Sequence, residues 1–399
     1  MTHVQISEVE SEIYEIAIRG NSLEFNKNSN KITAVRVADK SWGIVSSNRS
    51  DRRELIKKAI EIASKKGDGV KLAEAKLASG DFKFKRGHFD EDDAIELVLD
   101  IERCLEGFVE VILTYERVTR KIETNDGANA VEKKELTDLN LSVLSRGVAS
   151  VHIGGVGGLE VIEDRFEFVI SEVSNRAKNL RKARLLNPLM RGMKTDVILT
   201  KECACAFVHE VVHNLEADVH NPIEDGFEIT VYDRPLNGFG SYHFDDEGVL
   251  ACEKCLIEDG VVKNLLHTRE TAFKFKSIPM GNGRGLYTIP KAFQSNLYVE
   301  KGSWKLDEMI EETREGFLVE GLVKAEIRGD TIYIYPEICW YVKREIVCPV
   351  IVNAVKIPVK NALKRIEGIG REQFERICYE KGFNISERSP PIVVEAMII

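Results

Sequence analysis

The sequence predicts an α+β protein with two domains, and three observations support this. The chain has 399 residues, which is enough for two hydrophobic cores. Its 43% hydrophobic and 30% charged residues are typical of a soluble globular enzyme. Helix and strand patterns are mixed in the first part of the chain, whereas the pattern after residue 216 is mostly β. We therefore expect an N-terminal domain of helices and a β-meander over residues 1–190, and a β-rich C-terminal domain over residues 191–399.

The N-terminal elements follow from periodicity and from turn residues. Residues 7–19 fit a helix and a strand equally well. After them the sequence predicts, in order, strands at 23–25, 32–37 and 43–45, a helix from Ser50-Asp51 to Gly67, a helix over 90–107, a β-meander over 108–161 and a helix over 164–183. The glycine-rich run at 154–158 lacks the Lys-Ser/Thr ending of a phosphate-binding loop, so we interpret it as a turn.

The C-terminal elements are mostly strands that surround one helix. Val197-Ile198-Leu199 is a short strand, and Thr200 is a suitable N-cap for the helix that follows. Further along, the sequence predicts a strand at 227–232, a hairpin of 249–257 and 261–267, a helix over 304–315, paired strands over 321–348 and a strand at 392–394.

Charge and hydropathy exclude two classes of partner. The net charge of −9 argues against a nucleic-acid surface, because neutralising phosphates needs a basic face. No apolar run approaches the ~20 residues that span a membrane. The first ten residues lack the basic and apolar segments of a signal peptide. We therefore expect a cytoplasmic protein whose 8 cysteines are thiols or metal ligands.

The helix after Thr200 carries the motif His209-Glu210-x-x-His213. Positions i and i+4 lie on one face of a helix, so both imidazoles can reach one zinc ion. Glu210 lies about 100° around the helix from His209, where it can act on water at the metal. The alternative is a pair of histidines that are hydrogen-bonded on a half-buried helix face. The motif favours the metal site.

A hydrolytic zinc ion takes three protein ligands, and the residues alone leave the third open. Glu216 lies three residues after His213, but three ligands from consecutive turns of a straight helix converge poorly on one ion. We interpret Glu216 as a residue that orients an imidazole. Further candidates lie along the chain at His220, His243, Asp245, Cys252, Cys255, His267 and Cys378. Cys252 and Cys255 face opposite sides of a predicted strand, so we interpret them as packed thiols.

Several segments in order resemble the TldD/PmbA family of metallopeptidases, on its metal-bearing TldD side. The resembling segments are Val35-Arg36-Val37-Ala38, Trp42-Gly43-Ile44-Val45, Leu215-Glu216-Ala217-Asp218, Gly238-Phe239-Gly240-Ser241-Tyr242, Phe244-Asp245-Asp246-Glu247-Gly248, Arg269-Glu270-Thr271-Ala272 and Gly281-Asn282-Gly283-Arg284. The resemblance implies a zinc peptidase that acts on small or unfolded peptides in a protected cavity of a dimer. The dimer would be a homodimer or a heterodimer with a paralogue.

The resemblance also implies a third ligand. Family members take a cysteine near the C-terminus, and the matching residue is Cys378. The family motif usually separates its histidines by five positions, whereas His209 and His213 are four apart. Four positions suit a regular helix, so we predict a site without a π-type distortion.

We therefore predict zinc-dependent peptide hydrolysis, with His209, His213 and Cys378 as ligands and Glu210 as the general base. Glu216 would hold His213 or the substrate, and Arg284 would bind a peptide carboxylate. The alternative is a non-catalytic partner subunit that keeps the fold and serves assembly. The intact Glu210 favours the enzyme, because a structural site has no use for a base.

Overall fold

The structure is a computed structural model that describes residues 2–20, 22–49 and 51–399. It confirms the α+β fold class, with helices and strands in both parts of the chain. None of the helices in these described ranges has the length and apolarity needed to cross a bilayer.

The N-terminal part is built on one seven-stranded sheet. Its strands are β1 (His3–Arg19), β2 (Ser22–Ala38), β3 (Trp42–Ser47), β4 (Ser79–Lys83), β5 (Phe108–Thr124), β6 (Asn129–Leu144) and β7 (Val148–Val156). They follow the order β3-β2-β1-β5-β6-β4, and β7 also pairs with β6, along residues 136–144, whereas β4 pairs with residues 129–133. The ambiguous residues 7–19 thus belong to a strand.

Four helices pack on this sheet: α1 (Arg52–Ala63), α2 (Glu91–Arg103), α3 (Glu160–Glu163) and α4 (Phe166–Lys182). Asp51 caps α1 by accepting a hydrogen bond from the backbone N of Arg53 at 3.1 Å. Ser50, which was predicted beside it, lies outside the described residues. Ile16 and Ile18 of β1 belong to the same buried hydrophobic cluster as Ile101 of α2.

The C-terminal part contains three sheets and three helices. Its strands are β8 (Arg184–Leu185), β9 (Lys194–Leu199), β10 (Val231–Asp233), β11 (Lys254–Glu258), β12 (Val261–Val262), β13 (Gly283–Arg284), β14 (Lys291–Ala292), β15 (Asn296–Val299), β16 (Gly316–Arg328), β17 (Thr331–Val342), β18 (Ile346–Ile351), β19 (Val355–Pro358), β20 (Ile366–Ile369), β21 (Phe374–Glu380), β22 (Phe383–Ser389) and β23 (Ile392–Ile398). The helices are α5 (Lys201–His213), α6 (Arg269–Phe275) and α7 (Leu306–Glu312).

Helix α5 is enclosed between two of these sheets. One sheet runs β16-β9-β23-β19-β17, and an added β16–β17 pairing closes these five strands into a ring. The other sheet runs β12-β11-β10-β15-β22-β21. Helix α5 packs on β16 and β17 of the first and on β21 and β22 of the second. It is buried from Glu202 to Val212, which explains its unusually apolar sequence.

The two parts of the chain meet through buried charges. Arg36 of β2 donates to the carbonyl oxygen of Gly285 at 2.7 Å. Arg120 of β5 donates to Oδ1 of Asp246 at 2.9 Å. Strand β8 begins at Arg184 and already pairs with β18 of the C-terminal part. The predicted boundary near residue 190 stays a prediction.

Candidate metal centre

Helix α5 is a regular α-helix over its whole length. Its N-terminus is anchored by Glu202, which accepts hydrogen bonds from the buried Arg176 of α4 at 3.1 and 3.3 Å. At its C-terminus the side-chain amide of Asn214 donates a hydrogen bond to the backbone carbonyl oxygen of Glu210 at 3.0 Å. These contacts fix where the last helical turn presents its side chains.

The last turn brings the two imidazoles of the motif together. The ring centroids of His209 and His213 are 4.5 Å apart, with their planes nearly perpendicular. His209 is buried, whereas His213 is half-buried at the end of the helix. A separation of one helical turn accounts for this placement.

A carboxylate from β21 lies between the two rings. Oε2 of Glu380 is 2.7 Å from Nε2 of His209, and Oε1 is 3.3 Å from Nε2 of His213. The sequence reasoning missed Glu380. Alternation along a strand would have pointed to it, because Glu380 and Cys378 are two positions apart and share one face of β21.

The remaining ring nitrogens also have carboxylate partners. Nδ1 of His209 is 2.7 Å from Oε1 of Glu387 and 2.7 Å from Nε2 of Gln294. Nδ1 of His213 is 2.6 Å from Oε1 of Glu216. Glu216 lies beyond the end of α5, because the helix stops at His213. Such partners fix the orientation of an imidazole and make its free nitrogen a better metal ligand.

Cys378 forms a second cluster of donors. Its Sγ is 3.7 Å from Oε1 of Glu387. Ligand atoms of His209, Cys378 and Glu387 all lie within 4.8 Å of one another. Burial and the charge of Glu387 raise the pKa of the Cys378 thiol.

The electrostatics of the site follow from these pairings. Burial opposes protonation of His209, but its hydrogen bonds to Glu380 and Glu387 outweigh this and raise its pKa. Burial also opposes protonation of His213, but its hydrogen bonds to Glu216 and Glu380 outweigh this and raise its pKa to about 9. Burial of Glu380 is outweighed by the two imidazoles, so the pKa of its carboxyl is lowered. The site therefore places negatively charged carboxylates around the imidazoles of His209 and His213.

Glu210 lies beside this cluster and faces a cleft. Its side chain is buried, and this burial raises the pKa of its carboxyl. It lines a cleft of about 390 Å³ together with His213, Glu216 and Glu380. A carboxylate that is sheltered but open to a cleft can exchange protons with a molecule bound there.

The donor set fits a divalent metal. Ligand atoms of His209, His213 and Glu380 lie within 4.8 Å of one another, and Cys378 adds a sulfur donor on the same strand. Imidazole nitrogen, thiolate sulfur and carboxylate oxygen are the donors that zinc takes in proteins.

The other candidates from the sequence lie outside both clusters within the described ranges. Nδ1 of His243 is 3.0 Å from Oε2 of Glu132, and Asp245 accepts from the backbone of Glu247, Val249 and Gly283. His220, Cys252, Cys255 and His267 also belong to neither cluster. Cys255 lies in β11, whereas Cys252 precedes that strand and is exposed.

Arg284 lies apart from the imidazoles. It is in β13, it is 6% exposed, and its guanidinium lies over the rings of Tyr242 and Phe383. It lines a second, larger cavity that also reaches Lys381, the residue after Glu380.

Comparison with known proteins finds metalloproteases among the similar sequences. A family model described as the PmbA/TldA metallopeptidase C-terminal domain matches residues 226–399. A metalloprotease of Archaeoglobus fulgidus is 28% identical over 98% of both chains. A metalloprotease of Methanocaldococcus jannaschii is 29% identical over 72% of this chain and 71% of its own.

A solved structure extends the likeness to the whole fold. TldE of Thermococcus kodakarensis matches with a TM-score of 0.77 over 99% of this chain and 96% of its own. Its identity is 16%, so this likeness concerns the fold alone. Taken with the sequence matches to metalloproteases over most of the chain, it leads to one conclusion. Residues 226–399 match the PmbA/TldA metallopeptidase family, and the whole chain is similar to metalloproteases in sequence and to TldE in fold.

Proposed function

We propose that this protein is a zinc-dependent peptidase. The observation that carries the proposal is the convergence of Nε2 of His209 and Nε2 of His213 on one carboxylate, with Glu210 beside them on the same helix. The names of its relatives as metalloproteases support the reaction class. A purely structural metal site would not need an acid at position 210.

His209 and His213 would hold the metal, and a third donor would come from β21. The family resemblance favours Cys378, whose thiol clusters with His209 and Glu387. Glu380 competes for this role, because its carboxylate contacts both imidazoles. We keep Cys378 as the proposed ligand, because thiolate is the softer donor that zinc binds strongly.

Glu210 would carry the proton transfers of amide hydrolysis. A zinc ion, when bound, polarises the scissile carbonyl and lowers the pKa of water beside it. The Glu210 carboxylate would accept a proton from the attacking water and deliver it to the leaving amine nitrogen. Glu216 would keep His213 in the tautomer that leaves Nε2 free for the metal, since it contacts Nδ1 at 2.6 Å.

The substrate would be a small or unfolded peptide in an extended conformation. The clefts beside Glu210 and Arg284 have volumes of about 390 and 580 Å³, which suits a few residues of peptide rather than a folded protein. We further infer a dimer, with a second copy or with a paralogue. Two similar proteins support this inference: one of Saccharolobus solfataricus is named a TldD homolog, and the one of Thermococcus kodakarensis is TldE.

The test is cleavage of a random-sequence peptide library by the purified, zinc-loaded protein. We expect new peptide termini by mass spectrometry, their loss on treatment with a chelator, and their return on adding zinc. An absence of cleavage by a sample with one zinc per chain would overturn the proposal. Product masses that show loss of a non-peptide amide would point to another amide hydrolase.

A further inference from the structure

A cavity that is larger than the cleft beside Glu210 is strongly basic. It measures about 580 Å³ and lies between the N-terminal sheet and the loops of the C-terminal part. Five basic side chains line it against two acidic ones: Arg120, Lys134, Arg284, Lys291 and Lys381 against Glu116 and Asp246. This surplus of positive charge contrasts with the net charge of −9 of the whole chain. The cavity is therefore suited to an anion.

Arg284 has two buried N–H groups in this cavity without a hydrogen-bond partner. It is 6% exposed, and its Nε and Nη1 donate no hydrogen bond to any residue in the described part of the chain. Oδ2 of Asp246 lies 3.9 Å from Nε, which is too long for a hydrogen bond. The Asp246 carboxylate already accepts from Arg120 at 2.9 Å and from the backbone N of Gly285 at 2.8 Å. A buried guanidinium whose N–H groups lack acceptors destabilises the folded protein, unless a bound ligand accepts their hydrogen bonds.

Aromatic rings hold this guanidinium in place. Its Cζ is 4.4 Å from the ring centroid of Tyr242 and 4.3 Å from that of Phe383. Stacking occupies the faces of the guanidinium and leaves the N–H groups at its edge for a planar partner. Such an edge matches a carboxylate, which accepts two parallel hydrogen bonds.

The same rings connect Arg284 to the candidate metal centre. Phe383 and Phe293 have ring centroids 5.8 Å apart, and Phe293 lies 5.9 Å from the ring of His213. Nζ of Lys381 lies 4.6 Å from the ring of Phe293, on the edge of the cavity next to Glu380. This path corresponds to at most about five residues of extended peptide at ~3.3 Å each.

We propose that Arg284 binds the C-terminal carboxylate of the substrate peptide. The proposal rests on the proposed peptidase function and names its substrate class. The substrate's chain end would lie in the basic cavity while the scissile bond lies at the metal centre. Cleavage would then occur within about five residues of the C-terminus, and it would release short C-terminal fragments.

Binding to a variant that does not cut the substrate tests this proposal directly. The probe is an N-acetylated hexapeptide of alanine and leucine, titrated by calorimetry into the Glu210→Gln protein. We compare the free acid with the C-terminal amide, and with an amide that carries glutamate as its last residue. We expect the free acid to bind about 10–100-fold more tightly than either amide, because a charge-assisted bidentate contact is lost in both.

Two arginine variants, each made in the Glu210→Gln background, separate binding from folding. Arg284→Gln should reduce the preference for the free acid to less than about threefold. Arg234→Gln is the matched control. Arg234 also stacks on two rings, those of Tyr232 and Tyr298, but it does not line the cavity. It should keep the full preference.

Equal binding of acid and amide overturns the proposal, and this result stands even if Arg284→Gln does not fold. Equal binding of the free acid and the glutamate-bearing amide also overturns it, because the site would then select an acidic side chain. The peptidase proposal fails separately. It fails if wild-type, zinc-loaded protein cleaves neither hexapeptide nor any library peptide, whatever the binding result.

Discussion

The carboxylate of Glu380 bonds to His209 across two elements that are 171 residues apart in the chain, with Oε2 2.7 Å from Nε2. The imidazole comes from the last turns of α5, and the carboxylate comes from the end of β21. The same carboxylate reaches His213 at 3.3 Å. The packing of α5 on β21 therefore assembles the candidate centre.

Two variants on β21 should identify the third metal donor. We expect Cys378→Ser to weaken zinc binding by at least about 100-fold, since a lost ligand costs more than a lost orienting partner. Glu380→Gln should weaken it by about 10-fold, because it loses only charge beside the imidazoles. Competition with a chromophoric chelator measures both affinities. A larger loss of zinc affinity in Glu380→Gln than in Cys378→Ser would make Glu380 the third metal ligand in place of Cys378.

The contact between Arg176 of α4 and Glu202 of α5 should be essential for the stability of the folded protein. Arg176 is 2% exposed and donates to Glu202 of α5 at 3.1 Å and to Glu337 of β17 at 3.0 Å. Arg176→Met would leave two buried carboxylates without their cation, so we expect a loss of about 3–5 kcal/mol in the free energy of unfolding. Urea denaturation measures this loss.

The exposed Arg181 on the same helix provides the matched control for that change. Arg181→Met should change the free energy of unfolding by no more than about 0.5 kcal/mol. A loss below about 1 kcal/mol for Arg176→Met would show that α5 is held by its apolar packing alone.

The contact between the two parts of the chain should weaken in acid. Burial opposes ionisation of Glu132, but the charge of Arg120 and the hydrogen bond to His243 outweigh it and lower the pKa of Glu132 to about 2. A lowered pKa stabilises the folded state above the unfolded value of 4.5, and this stabilisation is lost as pH falls from 4.5 towards 2. Its size is about 3 kcal/mol.

Unfolding free energies of wild type and Glu132→Gln, measured between pH 3 and 7, check this prediction. The difference should be constant above about pH 5 and should shrink below it. Glu61→Gln, a change of an exposed acid on α1, controls for the loss of one negative charge. A difference that is independent of pH would mean that Glu132 acts through packing and not through its charge.

The sequence predicted the helices better than the long strands. Caps and apolar periodicity located α1, α2, α4 and α5 to within a few residues. The sequence predicted a β-meander over 108–161 but not the length of its first strand, β5, which runs unbroken over residues 108–124. Its middle carries charged residues such as Arg117 and Arg120, and local patterns alone do not show that these residues continue the strand. Their partners, Glu12, Glu135 and Asp246, lie in distant segments and could not be identified from local patterns.

The candidate site was partly predictable for the same reason. His209, Glu210 and His213 follow from local helical geometry, so the motif alone places them on neighbouring positions. Glu380 and Glu387 contact His209 only because β21 and β22 pack on α5. The hydrogen bond between Glu216 and His213 was within reach of the sequence, whereas the end of the helix at His213 was not. Arg284 as the ligand of a peptide carboxylate stays a prediction.

Hydrolysis by the Glu210→Gln variant tests the central claim most directly. Wild type and variant are loaded with zinc, their metal content is measured in the same samples, and kcat/KM is determined on one cleaved library peptide. We expect equal zinc content and a kcat/KM that is lower by about 10²–10⁴-fold in the variant, because general-base catalysis is lost. Glu258→Gln, at the exposed end of β11 in the same part of the chain, should behave as wild type. Equal kcat/KM in wild type and Glu210→Gln, at equal zinc content, would contradict the account.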